Sequence, residues 1–393
     1  MVVPHTHDQA VAAAHRLAER LEPGAAQRDR DGAAVIPHDA LADLDASGLL
    51  AITVPASDGG PGLGPRTLAE VARVLAAADP AIAQVPQGHY LMIDILAVHG
   101  TPQARKRLYG DVLAGRRLGN GLAERGGKHA QDLKTRIAGG RLDGVKYYTT
   151  GALTSAWIAV SALDEGDRLV LAFVPRDADG VTVDTDWDMV GQRATISGTA
   201  TFTQVTVDPQ LVIAYASAFS VPQQLGARAQ LVHAAIEVGI AGAALRDTRD
   251  YLRTKARPSS EAVRAGAAAA TDDPHVRHRY GRLASRVRAA EALLDSAART
   301  LDEIGLVPAD AEAAARGSLA VAAAKAFGSE IAVEAGSELF ALCGTSSAAA
   351  KYDLDRHWRN ARTHSVHDPV DWKYAHIAAF ELAGILPPNH GQL

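Results

Sequence analysis

With 393 residues, 47% of them hydrophobic, and a net charge of −5, the chain is long enough for two or three domains and lacks the basic excess of a nucleic-acid binder. Its single cysteine, Cys343, excludes an internal disulfide. No apolar run of about eighteen residues and no signal-peptide core occurs, so the expectation is a soluble cytoplasmic protein with neither a membrane span nor a nucleic-acid partner.

Residues from about 8 to 113 carry helical spacing. Val11, Leu17 and Leu21 mark a first helix, which Pro23-Gly24 is expected to end. Leu41, Leu44, Leu49 and Leu50 mark a second, closed near Gly48. Residues 53–62 are dense in breakers and predict a loop, after which 67–78, 87–98 and 102–113 resume the helical pattern. From Leu118 the period changes. Residues 145–150, 157–161, 169–174 and 199–207 are short, β-branched or aromatic runs separated by Gly and Asp, which predict a compact antiparallel β domain. Three long Ala-rich segments follow, 226–255, 276–304 and 310–342; such helices pack side by side in a bundle and extend into subunit contacts. The Ala/Gly-rich link 257–273 reads as a mobile loop. The expected organisation is α+β, mainly α: helical domain 1–117, β domain 118–222 and helical bundle 223–393.

The stretch Trp358-Arg359-Asn360-Ala361-Arg362-Thr363-His364-Ser365-Val366-His367-Asp368-Pro369 crowds proton-active side chains between two helical segments. If 353–364 is helical, His364 lies near its C-terminal end, where the helix dipole favours a cation. Pro369 disfavours helical geometry at Asp368, so His367 and Asp368 are expected at a bend. Such a bend suits acid–base chemistry; the plainer alternative is a polar helix end with Arg362 capping carbonyls. No third ligand lies nearby, so no metal site is expected. His89 opens a helix, either as a first-turn surface residue or as part of a pocket wall. Gly59-Gly60-Pro61-Gly62 neither follows a strand nor opens a helix, so direct NAD(P)H binding is not expected.

Helical block, small β domain and long bundle is the layout of the acyl-CoA dehydrogenase superfamily. Local runs resemble that family in the same order. Lys146-Tyr147-Tyr148-Thr149-Thr150-Gly151-Ala152 is similar to the strand beside the flavin ring, and Gly191-Gln192-Arg193-Ala194-Thr195-Ile196-Ser197-Gly198 to its G-x-R-x-T-x-S-G segment. Leu122-Ala123-Glu124 stands where dehydrogenases have V-T-E-P, but Arg125 replaces the proline. Where dehydrogenases commonly place a Glu-Gly-Thr base, this chain has Asp368-Pro369 after His367. The run W-R-N-x-R-T-H-x-x-H-D-P, and the ending Leu386-Pro387-Pro388-Asn389-His390-Gly391, resemble instead the reduced-flavin monooxygenases of that superfamily, the dibenzothiophene and sulfur-acquisition group.

The resemblance implies a two-component enzyme. Reduced FMN (FAD is the alternative) arrives from a separate NAD(P)H:flavin reductase, reacts with O2 to a C4a-hydroperoxide, and oxygenates a small organosulfur compound. It implies that Thr150 reaches flavin N5, Asn120 lines the flavin, and His367 sits at the reactive edge with His364 in support. His89 lines the same pocket and Arg257 binds the flavin phosphate; Trp187 packs near the flavin or within the β domain. The long Ala-rich helices offer more apolar face than one subunit needs, so a homotetramer built by packing the C-terminal bundles is expected. The competing readings are an acyl-CoA dehydrogenase with Asp368 as base, an N-hydroxylating monooxygenase, and a noncatalytic scaffold.

Overall fold

The computed structural model describes residues 2–128, 132–391 and 393. The N-terminal block holds six helices: α1 (His7–Asp31), α2 (His38–Ala46), α3 (Pro65–Ala78), α4 (Pro80–Gln84), α5 (Gln87–His99) and α6 (Pro102–Leu113). Their starts are written in the sequence. Thr6, Asp79 and Thr101 each accept a first-turn backbone N–H, and Pro80 and Pro102 occupy the position where a missing N–H costs nothing. The expected stop at Pro23-Gly24 does not occur, and α1 runs on to Asp31. Arg28, one turn further, donates to the Leu21 carbonyl and pairs with Asp79 at 2.7 Å, which braces the helix across the proline.

Eight strands follow in one sheet: β1 (Leu118–Gly121), β2 (Arg136–Ala138), β3 (Arg141–Lys146), β4 (Trp157–Leu163), β5 (Leu169–Pro175), β6 (Val181–Val183), β7 (Ala200–Thr206) and β8 (Val212–Ile213). The order is β6-β7-β3-β2-β4-β5-β8, with β1 beside β4. The sheet is mixed rather than wholly antiparallel, because both β1 and β2 run parallel to β4. Strands β4 and β5 are buried on both faces, so they read as continuous apolar runs. Ile158, Val160, Val170, Ala172 and Phe202 form a core within the β domain. The alternate residues Ala159, Leu171 and Phe173 join the large core shared with the helices.

The C-terminal block comprises α7 (Leu225–Thr254), α8 (Ser260–Arg264), α9 (Pro274–Ile304), α10 (Ala311–Cys343), α11 (Arg356–Ser365) and α12 (Val370–Ala383). The link read as a loop contains α8, held by a Ser259 cap and by the Asp272 carboxylate, which accepts from the N–H groups of Ala268 and Ala269. Helices α7, α9 and α10 pack together, with α3 against α7 and α9, and α11 against α7 and α10. At Gly336 of α10 a Cβ would lie 2.7 Å from the Trp358 backbone, so only glycine lets α11 dock this closely. Among the described residues no helix is long and apolar enough to cross a membrane.

Candidate active site

Helix α11 buries His357, Asn360, Ala361 and His364, which share one face at helical spacing and turn it towards α7 and α10. After Ser365 the chain bends before α12, and this bend carries His367 and Asp368, as the sequence predicts. His364 Nδ1 donates to Glu237 Oε1 at 2.9 Å, and its Nε2 lies 3.0 Å from His233 Nδ1. The His367 ring packs against His233 at a tilt of 34°, with centroids 4.1 Å apart. Lys325 pairs with Glu237 at 2.9 Å and approaches Asp368 at 3.9 Å, while Lys373 pairs with Asp368 at 2.6 Å. All of these side chains are buried except His367, whose side chain is 43% exposed. A cleft of about 750 Å³ is lined by Glu334, Arg362, Val366, His367 and Asp368. A second, of about 390 Å³, is lined by Asp368, Trp372, Lys373, His376 and His390.

The electrostatics follow from burial and pairing. Burial works against the Glu237 and Asp368 charges, but Lys325 and His364 hold Glu237 below its usual range. His367, Lys325 and Lys373 together hold Asp368 well below the carboxylate range. Burial lowers the pKa of His364 despite Glu237, and that of His233 further, with His367 and His364 adding to the shift. The helix-dipole expectation of a cation at His364 is thus corrected: desolvation outweighs it and the ring is neutral at pH 7.

The second group of expected residues lies where the β domain meets the helices. Thr150 follows β3 in a tight turn that begins with Tyr148 at φ 56°. Its hydroxyl lies 2.6 Å from Ser197 Oγ; Ser197 donates to Thr195 Oγ1 and Thr195 to the Gln192 carbonyl. The Thr150 carbonyl accepts from Asn120 N–H. Asn120 presses on Gly88, where a Cβ would stand 2.5 Å from its Nδ2. Neighbouring Gln87 donates to the Ala229 carbonyl of α7, one turn before His233. Gln87 thus links the Gly88–Asn120 contact to the part of α7 that carries His233 one turn on. Trp187 is half-buried, donates to the Gln192 carbonyl at 2.8 Å and meets the Tyr148 ring edge-on. The Gln192 N–H reaches Asn360 Oδ1 at 2.6 Å and ties this loop to α11.

Two residues stand apart. His89 is fully buried, donates from Nε2 to the Leu50 carbonyl at 2.8 Å and accepts Leu118 N–H on Nδ1 at 3.0 Å. Burial lowers its pKa to about 4, so it is a neutral clip holding β1 in place rather than a wall of the pocket. Arg257 is exposed beyond the end of α7 and forms no hydrogen bond or ion pair among the described residues. The helix carries it roughly 38 Å from Ala229 at 1.5 Å per residue. It does not join the others within one chain.

These residues fit a flavin. The amide oxygens of Gln84 and Gln230 are buried without a donor, which suits a ligand bearing N–H groups, and Asn120 and Thr150 add polar atoms nearby. His233, Glu237, Lys325, Lys373 and Ser197 escaped the sequence reading. The signal available was His233 and Glu237 at i, i+4 inside the otherwise apolar run 231–245 of α7, where two buried polar groups need partners.

Residues 4–116 match the acyl-CoA dehydrogenase N-terminal domain, and residues 231–372 match the acyl-CoA dehydrogenase C-terminal domain. The chain belongs to the acyl-CoA dehydrogenase family. Within that family it is 32% identical over 401 residues to a dibenzothiophene monooxygenase of Rhodococcus erythropolis, covering 96% of this chain and 94% of the relative. It is also 32% identical to the probable FMNH2-dependent monooxygenase SfnC of Pseudomonas putida, over 95% of this chain and 94% of that protein. The fold superimposes on FMN-bound TdsC from Paenibacillus sp. A11-2 with a TM-score of 0.92 at 27% identity, covering 98% of this chain and all of that one. These relatives place the chain in the flavin monooxygenase branch of the family.

Proposed function

We propose that the protein is a two-component, FMNH2-dependent monooxygenase that places one oxygen atom of O2 on the sulfur of a small organosulfur compound. The reduced flavin comes from a separate NAD(P)H:flavin reductase in the cytoplasm. The observation that carries this reading against a dehydrogenase is the state of Asp368. A dehydrogenase base must take a proton from substrate, and a carboxylate clamped between Lys325 and Lys373 is a poor base. The partly exposed side chain at the bend is His367, whose Nδ1 lies 3.3 Å from Asp368 Oδ1 and whose ring reaches the cleft.

Bound FMNH2 supplies the electrons that activate O2. Thr150 and Asn120 would hold the flavin edge and Trp187 would pack beside it, while His89 holds the strand that carries Asn120. His367 holds or gives a proton at the cleft, with His364 fixing the ring cluster behind it.

Two features support a homotetramer. Along α12 only Lys373 is buried, while Trp372, Tyr374 and Leu382 are 64%, 41% and 87% exposed, an apolar helix that a second copy would cover. Arg257, lying too far along α7 for the flavin beside its own Thr150, would serve the phosphate of a neighbouring copy. The test of function is direct: supply FMNH2, an organosulfur compound and 18O2, and look for one labelled oxygen in the sulfur product. Unlabelled substrate together with stable reduction of bound flavin by an acyl-CoA would overturn the reading.

A further inference from the structure

The hydrogen-bond chain behind the bend has a fixed direction. Glu237 is ionised and can only accept, so His364 carries its proton on Nδ1. His364, neutral, then accepts at Nε2, which requires His233 to carry its own proton on Nδ1. That leaves His233 Nε2 as a bare lone pair, with no hydrogen bond to it among the described residues. His367, exposed, lies over this ring at 4.1 Å between centroids. His233 is 3% exposed.

We propose that His233 is the outer member of a proton relay, Glu237–His364–His233, that serves the oxygenation site as a positioning and proton-holding device. A proton taken up at His233 Nε2 sends the Nδ1 proton across to His364 Nε2. His233 is then neutral again with its proton on the other nitrogen, and the His364 imidazolium rests against the Glu237 carboxylate. Reversal returns the proton; no electrons move and no bond other than N–H changes. The groups facing the pair from α7, α10, α11, the bend and α12 are Glu237, Lys325, His367, Asp368 and Lys373. Of the two rings, only His364 touches a carboxylate, so the stored charge settles there. The inference rests on the monooxygenase reading, in which FMNH2, O2 and a sulfide become FMN, a sulfoxide and water. Forming that water needs a proton at one moment and releases one at another, and a two-imidazole store suits this demand.

The direction of the chain is tested without turnover, by nitrogen NMR of the full-length protein labelled with 15N-histidine at pH 8. Both His233 and His364 are expected as Nδ1–H tautomers, and lowering the pH should place the first added proton of the pair on His364. An Nε2–H tautomer at His233 overturns the relay. In turnover, His233→Asn keeps a donor near Nδ1 but deletes Nε2. It should lower kcat for sulfoxide formation by roughly tenfold or more, with KM and reduced-FMN affinity within about twofold of wild type. His233→Gln, which restores a polar atom near Nε2, should recover part of the rate. Equal losses in affinity and rate, or an unchanged kcat, sink the relay. Absence of labelled sulfoxide from the wild-type protein would sink the monooxygenase reading instead, a result separate from the tautomer pattern that judges the relay itself.

Discussion

Replacing Asp368 by Asn removes the charge that Lys373 and Lys325 share in a buried site. The variant should lose about 3–5 kcal/mol of stability, because breaking a buried ion pair strands its partner, and urea unfolding will measure it. His367→Ala behaves oppositely. Its ring is partly exposed, so stability should change by about 1 kcal/mol or less, while sulfoxide formation falls roughly 10²–10⁴-fold and hydrogen peroxide accumulates. A stable, active Asp368→Asn beside a fully active His367→Ala would remove the assignment of the bend. His364, His367 and Asp368 were legible in the sequence because they crowd a polar run that ends in Pro369, which dictates a bend. His233, Glu237 and Lys325 were not. They lie on α7 and α10, far in sequence from the bend, and one-dimensional spacing does not say which helix will supply a buried polar residue's partner.

Among the elements, α12 makes the clearest demand on solution behaviour. Leu382→Asp and Trp372→Glu place charges on its uncovered apolar face and should split the assembly into smaller species by light scattering. Arg257→Ala should leave the assembly intact and weaken FMN about tenfold or more, since a charged hydrogen bond contributes about 1.5–3 kcal/mol. If Arg257 serves a neighbour, the α12 variants weaken FMN as well, though their substitutions lie on another helix; unchanged affinity in the dissociated species would detach Arg257 from the site. The long helices were legible from Ala content and apolar spacing, and α7, α9 and α10 fall within a few residues of the expected limits. Strands β1 and β2 were not, since Leu-Gly-Asn-Gly and Arg-Ile-Ala carry little β preference and gain their pairing from β4. Helix α1 outran Pro23 because a tertiary contact through Arg28 overrides the local breaker.

For the whole molecule, buried neutral histidines set the acid limit. Burial lowers the pKa of His89, His233, His357 and His364 in the fold, so the unfolded chain binds protons at a pH where the folded chain refuses them. Stability therefore falls as pH drops below about 6.5. For His89, whose folded pKa is about 4, the loss across that window is about 3 kcal/mol. Asp247, drawn down to about 2 by His357 and Arg356 against the effect of burial, adds a further loss below about pH 4. Denaturation curves from pH 7 to 4 should show the slope. His89→Asn, which has no proton to gain, should flatten it while lowering stability at pH 7.

The length of α7 has one more consequence. If Arg257 serves a neighbouring copy as proposed, a helix that bears His233 near one end and delivers Arg257 past the other would make every subunit a half-owner of two catalytic centres. Two impaired proteins, one lacking Arg257 and assayed at reduced FMN too dilute to fill its weakened site, the other lacking His367, then hold complementary halves. When their subunits are exchanged, each mixed pair contains one centre with both residues intact and one with neither. Random pairing makes half the pairs mixed, so at that flavin concentration the blend should reach roughly a quarter of wild-type turnover, above either parent alone.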